Sequence, residues 1–140
     1  KKVFDDLGGY DEGLLYAENT ELFFRLPQKE LIFKHIPKVN FIYFPSPDGG
    51  SKNLKNMVDS ILIILNKHDK ILSYHVKHLF HQNLGVIFMR FRNFKKSREH
   101  LLKAIWFKPY KVSTWGRFSI SLLPPLAKKL YTEEVLVHKK

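Results

Sequence analysis

Between Leu7 and Leu26 the chain reads LGGYDEGLLYAENTELFFRL and gathers four carboxylates, Asp11, Glu12, Glu18 and Glu21, ahead of Arg25. Acids at the start of an amphipathic segment can serve as a solvated helix cap, or they can line a polar site for a substrate. A second group is His75, His78 and His81, which recur at every third position. Two imidazoles at that spacing could share a metal ion. Successive steps drift around a helix axis, however, and no Cys or carboxylate completes a shell, so packing or surface histidines are expected and no metal site. A third group lies in AIWFKPYKVSTWGRFSISLLPPLAKKLY, where Trp106, Phe107, Tyr110, Trp115 and Phe118 are interleaved with Lys108, Lys111, Arg117, Lys128 and Lys129. Aromatic rings mixed with cations beside an apolar body suit the interface of an anionic membrane. Nucleic acid is the other polyanion to weigh, but no recognised nucleic-acid motif accompanies the charge, and none is expected as a partner. The plainer reading is a solvated face on helices whose aromatics belong to the core.

The distribution of charge says more than its total. Residues 1–50 hold six Lys and Arg against eight Asp and Glu, a net of −2, while residues 51–140 hold 18 against five, a net of +13. An acidic front end and a cationic back end suggest two functional surfaces. At 140 residues, with 44% apolar and 14% aromatic content, the chain can bury a core. It begins at Lys1 and reads as a piece of a longer protein. With no Cys, it has no disulfides and no thiol chemistry. Its longest apolar run, Ile61 to Leu65, is far too short to span a bilayer.

These groups must be positioned by elements that the patterning predicts. KKVFDDLGGYDEGLL reads as a loop with a tight turn at Gly8-Gly9, and AENTELFFRLPQ as a short helix with Leu22, Phe23 and Leu26 on one face, stopped by Pro27. LIFKHIPKVNFIYF, Leu31 to Phe44, is rich in β-formers and reads as two short strands. PSPDGGSKN is the best boundary. Beyond Asn53 the apolar spacing is helical. Leu54, Val58, Ile61 and Leu65 form one stripe, and further helices are expected over about 69–90, 94–107 and 111 to Pro124-Pro125.

The first 50 residues resemble the acceptor-side segment of family-2, GT-A type glycosyltransferases. The family pattern is a GGFDE loop, a few residues, an ED-x-D/E-L helix start and a helical Arg. Here Gly8-Gly9-Tyr10-Asp11-Glu12, Glu18-Asn19, Glu21-Leu22 and Arg25 answer it, and Tyr43 stands at the family's Tyr. The resemblance implies an α/β fragment, the end of a GT-A nucleotide-diphospho-sugar transferase domain over 1–50, followed by an all-α helical-hairpin tail over 51–140.

It further implies an enzyme that moves a sugar from a nucleotide-diphospho-sugar to a saccharide or lipid-linked acceptor in bacterial cell-surface polysaccharide or glycoconjugate synthesis. It also implies a divalent metal, Mg or Mn, in the full-length enzyme, with none held by this fragment, and a cytoplasmic location, either free or peripheral on the inner face of the cell membrane. Gly8, Gly9, Asp11 and Glu12 would bind the acceptor, Glu18, Asn19 and Glu21 would serve catalysis, and Arg25 would support them. The sequence departs from the family at two places. Asn19 stands where the family has its catalytic Asp, and Ser46 where many relatives carry His. An Asn cannot take up a proton, so Glu18 or Glu21 takes the role, or Asn19 only orients the acceptor, or catalysis is weak.

A second likeness lies in HQNLGVIFMRFRNFKKSREHLLKAIWFKP, which resembles one tetratricopeptide-like repeat of about 34 residues. Leu84, Gly85, Phe88, Ser97, Leu101, Ala104 and Pro109 match its positions, and His81 replaces the usual Trp. That likeness predicts two antiparallel helices with Gly85 close to Ala104. It also leaves an alternative function open, a non-catalytic helical module for protein–protein interaction.

Overall fold

A computed structural model describes residues 2–26, 37–38 and 53–132. Among these, every regular element is a helix: α1 (Lys2–Asp6), α2 (Glu18–Arg25), α3 (Leu54–His68), α4 (Tyr74–Arg90), α5 (Phe94–Phe107), α6 (Val112–Ser121) and α7 (Pro124–Leu130).

The α/β expectation is therefore corrected. No strand occurs among the described residues, and the expected strand pair, 31–44, lies outside them except for Pro37 and Lys38, which are irregular. The physical reason shows in the front segment. Leu14 and Phe24 bury themselves against Ile64, Leu72 and Phe80, which belong to helices and the turn between them, not to a sheet.

The back end follows its patterning closely. Three helices begin on polar caps: Asn53, Ser73 and Asn93 each accept from the backbone N–H three residues on, at 3.1, 3.3 and 3.1 Å. Such caps satisfy donors that a helix start leaves without partners. The turn from α4 to α5 is closed by Asn93 N–H to Phe88 O at 2.9 Å and Arg92 N–H to Met89 O at 3.0 Å, with Arg92 left-handed at φ 58°. This is the six-to-one, five-to-two pattern that ends many helices, here without glycine. Pro124 and Pro125 do not simply end a helix. They open α7, where the missing N–H costs nothing.

The α4–α5 pair is the most extensive helix contact. A Cβ at Gly85 would stand 2.5 Å from Leu101 Cγ, so the close approach expected opposite Ala104 occurs opposite Leu101 instead. Ala104 is fully buried and its carbonyl accepts from His78 Nδ1 at 3.0 Å. Ser97 Oγ donates to Gly85 O at 2.7 Å, and Gln82 Nε2 donates to Thr114 Oγ1 at 2.7 Å, tying α6 to α4. Between α4 and α5 four rings stack in the order Phe107, His81, His100, Phe88, with centroids 5.8, 5.2 and 5.4 Å apart. The two imidazoles share a hydrogen bond, Nδ1 to Nδ1 at 3.0 Å.

Candidate functional site

The acidic stretch folds as a turn, a loop and helix α2 lying on α3. After α1, Gly8 and Gly9 take φ of 77° and 71°, a left-handed pair that side chains rarely adopt. Arg25 secures this turn from below: its guanidinium donates to Gly9 O at 2.6 Å and to Leu7 O, and to the Glu21 carboxylate at 2.8–2.9 Å. Leu15 and Tyr16 then hand both backbone N–H groups to one acceptor, Ser60 Oγ of α3, at 3.2 and 3.1 Å. Ser60 is buried, so the loop is anchored inside the protein.

Glu21 is the centre of the arrangement. Its side chain is fully buried, and it receives Arg25 on one oxygen and both Lys67 and His68 Nε2 on the other, each at 2.8 Å. Burial alone would raise its pKa, but the hydrogen bonds from Lys67, His68 and Arg25 outweigh it and hold the carboxyl below its usual value. Lys67 also reaches Asp11 Oδ2 at 2.8 Å, which lowers the pKa of Asp11, helped by Gly13 N–H on the other oxygen at 2.9 Å. The bonds to Asp11 and Glu21 raise the pKa of Lys67 in turn. A buried carboxylate with its lone pairs committed to three donors does not take a proton from an attacking hydroxyl. Glu21 is a brace.

The other expected residues stand elsewhere. Asn19 is exposed, and its Oδ1 accepts from Tyr10 OH at 2.7 Å, while the Tyr10 ring packs edge-on against Phe4. Glu18 is partly exposed as the first residue of α2 and has no ion-pair or hydrogen-bond partner among the described residues. It follows Ala17, whose left-handed φ of 60° is unusual for a residue with a Cβ. Glu12 is exposed. Gly8 and Gly9 shape the turn, and the carbonyls of Leu7 and Gly9 are turned onto Arg25. A cleft of about 610 Å³ opens beside the brace, lined by Arg25, Asn66, Lys67, His68 and Lys70 among others, and neither Glu18 nor Asn19 lines it.

The implied divalent cation does not fit these acids, because Glu21 and Asp11 already hold the protein's own cations. Among the described residues no three His, Cys, Asp or Glu side chains are placed to hold a metal. The three regularly spaced histidines part ways: His78 is buried on Ala104 O, His81 lies in the ring stack and His75 meets Lys108.

Sequence reasoning missed Ser60, Lys67 and His68. Their one signal was Lys67 and His68 side by side in the last turn of an amphipathic helix, a basic end that could answer the acidic front segment. No family model, curated protein or solved structure matches the chain. Among the described residues no helix is long and apolar enough to cross a membrane.

Proposed function

We propose that Leu7 to Leu26 is the acceptor-side rim of a glycosyl-transfer site in a longer protein, with Glu18 as general base and Asn19 orienting the acceptor. The observation that carries this reading is the division among the acids. Glu21 and Asp11 are consumed in bracing, while Glu18 and Asn19 sit together on the open start of α2. The strained Ala17 immediately precedes them, and backbone strain of this kind clusters at functional sites.

The reaction is attack by an acceptor hydroxyl on the anomeric carbon of a nucleotide-diphospho-sugar. The hydroxyl proton passes to Glu18, the new glycosidic bond forms, and the nucleoside diphosphate leaves with the electrons of the broken bond. A helix start fixes the direction of the carboxylate, and Tyr10 OH fixes the Asn19 amide so that its NH₂ faces away from the phenol. Donor binding and the divalent metal belong to residues outside this chain.

The test is sugar transfer by the full-length protein carrying Glu18→Gln. Transfer should fall by about 10²–10⁴-fold with the melting temperature unchanged. Asn19→Asp should raise the rate by restoring a second carboxylate. Parent-level transfer in Glu18→Gln would overturn the assignment and leave the acids as a helix-start brace.

A second reading, a helical protein–protein interaction module, is favoured by the closely packed α4–α5 hairpin. It requires full-length protein with no transferase activity at all.

A further inference from the structure

The end of the bundle where α4 starts, α5 stops and α6 starts is unlike the rest of the surface. Trp106 is 82% exposed, Val112 80%, and Tyr110 and Tyr74 each 70%. Residues 106–112 span only the last turn of α5, the turn after it and the first residue of α6, so Trp106, Tyr110 and Val112 are neighbours along one short connection. Tyr74 joins them from α4, its ring 5.6 Å from that of Phe107. The connection is stiffened by Trp115, whose Nε1–H donates to Pro109 O at 2.8 Å. Large apolar side chains held this far into solvent are not core, and they correct the expectation for part of the aromatic set. Phe107 and Phe118 are only partly exposed, whereas Trp106 and Tyr110 stand out.

The charge around them has one sign. Lys108 and Lys111 flank Tyr110, Lys103 precedes Trp106 by three residues, and no Asp or Glu occurs between Glu99 and Glu133. Asp69, the nearby acid in the turn before α4, is already bound by Lys77 at 2.7 Å. The starts of α4 and α6 lie here beside the ends of α3 and α5, so the helix dipoles offset one another and the positive potential is that of the lysines.

We propose that this end of the bundle docks on an anionic lipid bilayer, with Trp106, Tyr110 and Val112 entering the headgroup region and Lys108 and Lys111 bound to lipid phosphates. Trp and Tyr favour that depth because each carries an apolar ring with a polar edge. Val112 argues for lipid over nucleic acid, since an aliphatic side chain has no stacking face for a base. The inference is independent of the sugar-transfer reading: it concerns different helices and uses a different assay.

The experiment is sedimentation of the full chain with vesicles of phosphatidylcholine alone, or with about a third phosphatidylserine, while the tryptophan emission is followed. The expected result is binding to the anionic vesicles only, a blue shift of emission, and release as salt shortens the Debye length below about 10 Å. Trp106→Ala with Val112→Ser should weaken binding at least tenfold and abolish most of the shift. Lys108→Gln with Lys111→Gln should weaken binding and flatten its salt dependence. Trp106, Lys111 and Val112 are exposed, while Lys108 is half-buried with its ammonium on His75, and unchanged helical circular dichroism confirms that the variants fold. Equal binding to both vesicle types, no binding to either, binding untouched by both pairs of substitutions, or binding only to a single-stranded oligonucleotide would each overturn the proposal.

Discussion

Gly85 and Leu101 touch so closely that the two helices could not carry a larger residue at position 85. A Cβ there would lie 2.5 Å from Leu101 Cγ, 2.8 Å from its Cδ2 and 3.3 Å from the Ser97 carbonyl, and Leu101 and Ser97 are fully buried. Gly85→Ala should therefore destabilise despite the better helix propensity of alanine. Overpacking costs about 1–3 kcal/mol against a propensity gain of up to about 1. Gly116 in α6 is the matched control, because a Cβ there meets nothing within 4 Å. Gly116→Ala should raise the melting temperature and Gly85→Ala lower it. Shifts of the same sign in a thermal melt would contradict the packing described.

Removing the Glu21 carboxylate should be costly in a way that removing Glu18 is not. Glu21→Gln leaves Arg25, Lys67 and His68 gathered around a neutral amide, and breaking a buried ion pair from one side costs about 3–5 kcal/mol. The lower end of that range applies, because Lys67 is 42% exposed and can turn to water. Glu18→Gln should change urea stability by less than about 0.5 kcal/mol. Loss of transfer in a Glu21 variant would thus report on the fold and not on the base.

Acid should weaken the fold in two stages. Burial, then the charge of the neighbouring His100 and of Lys103, pushes His81 down to about 4, and burial followed by Lys103 lowers His100. Lys77 and Lys96 add to the repulsion, and only Glu99 opposes it. In the unfolded chain both rings titrate near 6.5, so between that value and about 4 the unfolded chain binds more protons. Stability therefore drops as the pH is lowered through this window, by up to about 1.4 kcal/mol per pH unit for each proton of difference. Glu21 acts lower down: its depressed pKa gives stability that is present above its unfolded value of 4.5 and lost as pH falls through the folded one. Urea titrations at pH 7, 5.5 and 4.5 should show the upper slope, and further points at about pH 4 and 3 the lower one. The double variant His81→Phe, His100→Phe should flatten its upper stage while leaving the lower one.

Ser60→Ala should release the front loop. Its hydroxyl accepts from two loop N–H groups, and because both bonds are only part-buried the loss of each should fall toward the lower end of the cost of an unpaired group, about 1 kcal/mol. Proteolysis within 8–17 should quicken in the variant while cleavage in the α4–α5 turn does not. Unchanged cleavage at both places would show that Ser60 is not the anchor.

The helical back end was largely legible. Leu54–His68 and Phe94–Phe107 follow from apolar spacing alone, because each helix packs one stripe against its neighbours and its start carries a recognisable Asn cap. The front was not. Hydrophobicity placed Leu22, Phe23 and Leu26 on the inner face of α2, yet Phe23 is 60% exposed and the charged Glu21 is buried. Periodicity treats a carboxylate as an outward residue. It cannot register the three donors, Arg25, Lys67 and His68, that make this one an inward residue, because two of them lie more than 40 positions away on α3. Acids suited to chemistry could be read from spacing, but which of them were already occupied could not.

The anchoring of the front loop has a kinetic side. Ser97 reaches Gly85 across 12 positions of chain, whereas Ser60 and Lys67 reach their loop partners across 44 to 56. Closing the longer loops costs more chain entropy, and local helix pairs form sooner. The α4–α5 hairpin should therefore form first, and the front segment should be captured onto α3 after it. A segment that arrives late is also the first to detach. In native-state hydrogen exchange the amides of Leu15 and Tyr16 will open well before those around Leu101, so the acidic rim comes and goes on a helical body that stays closed.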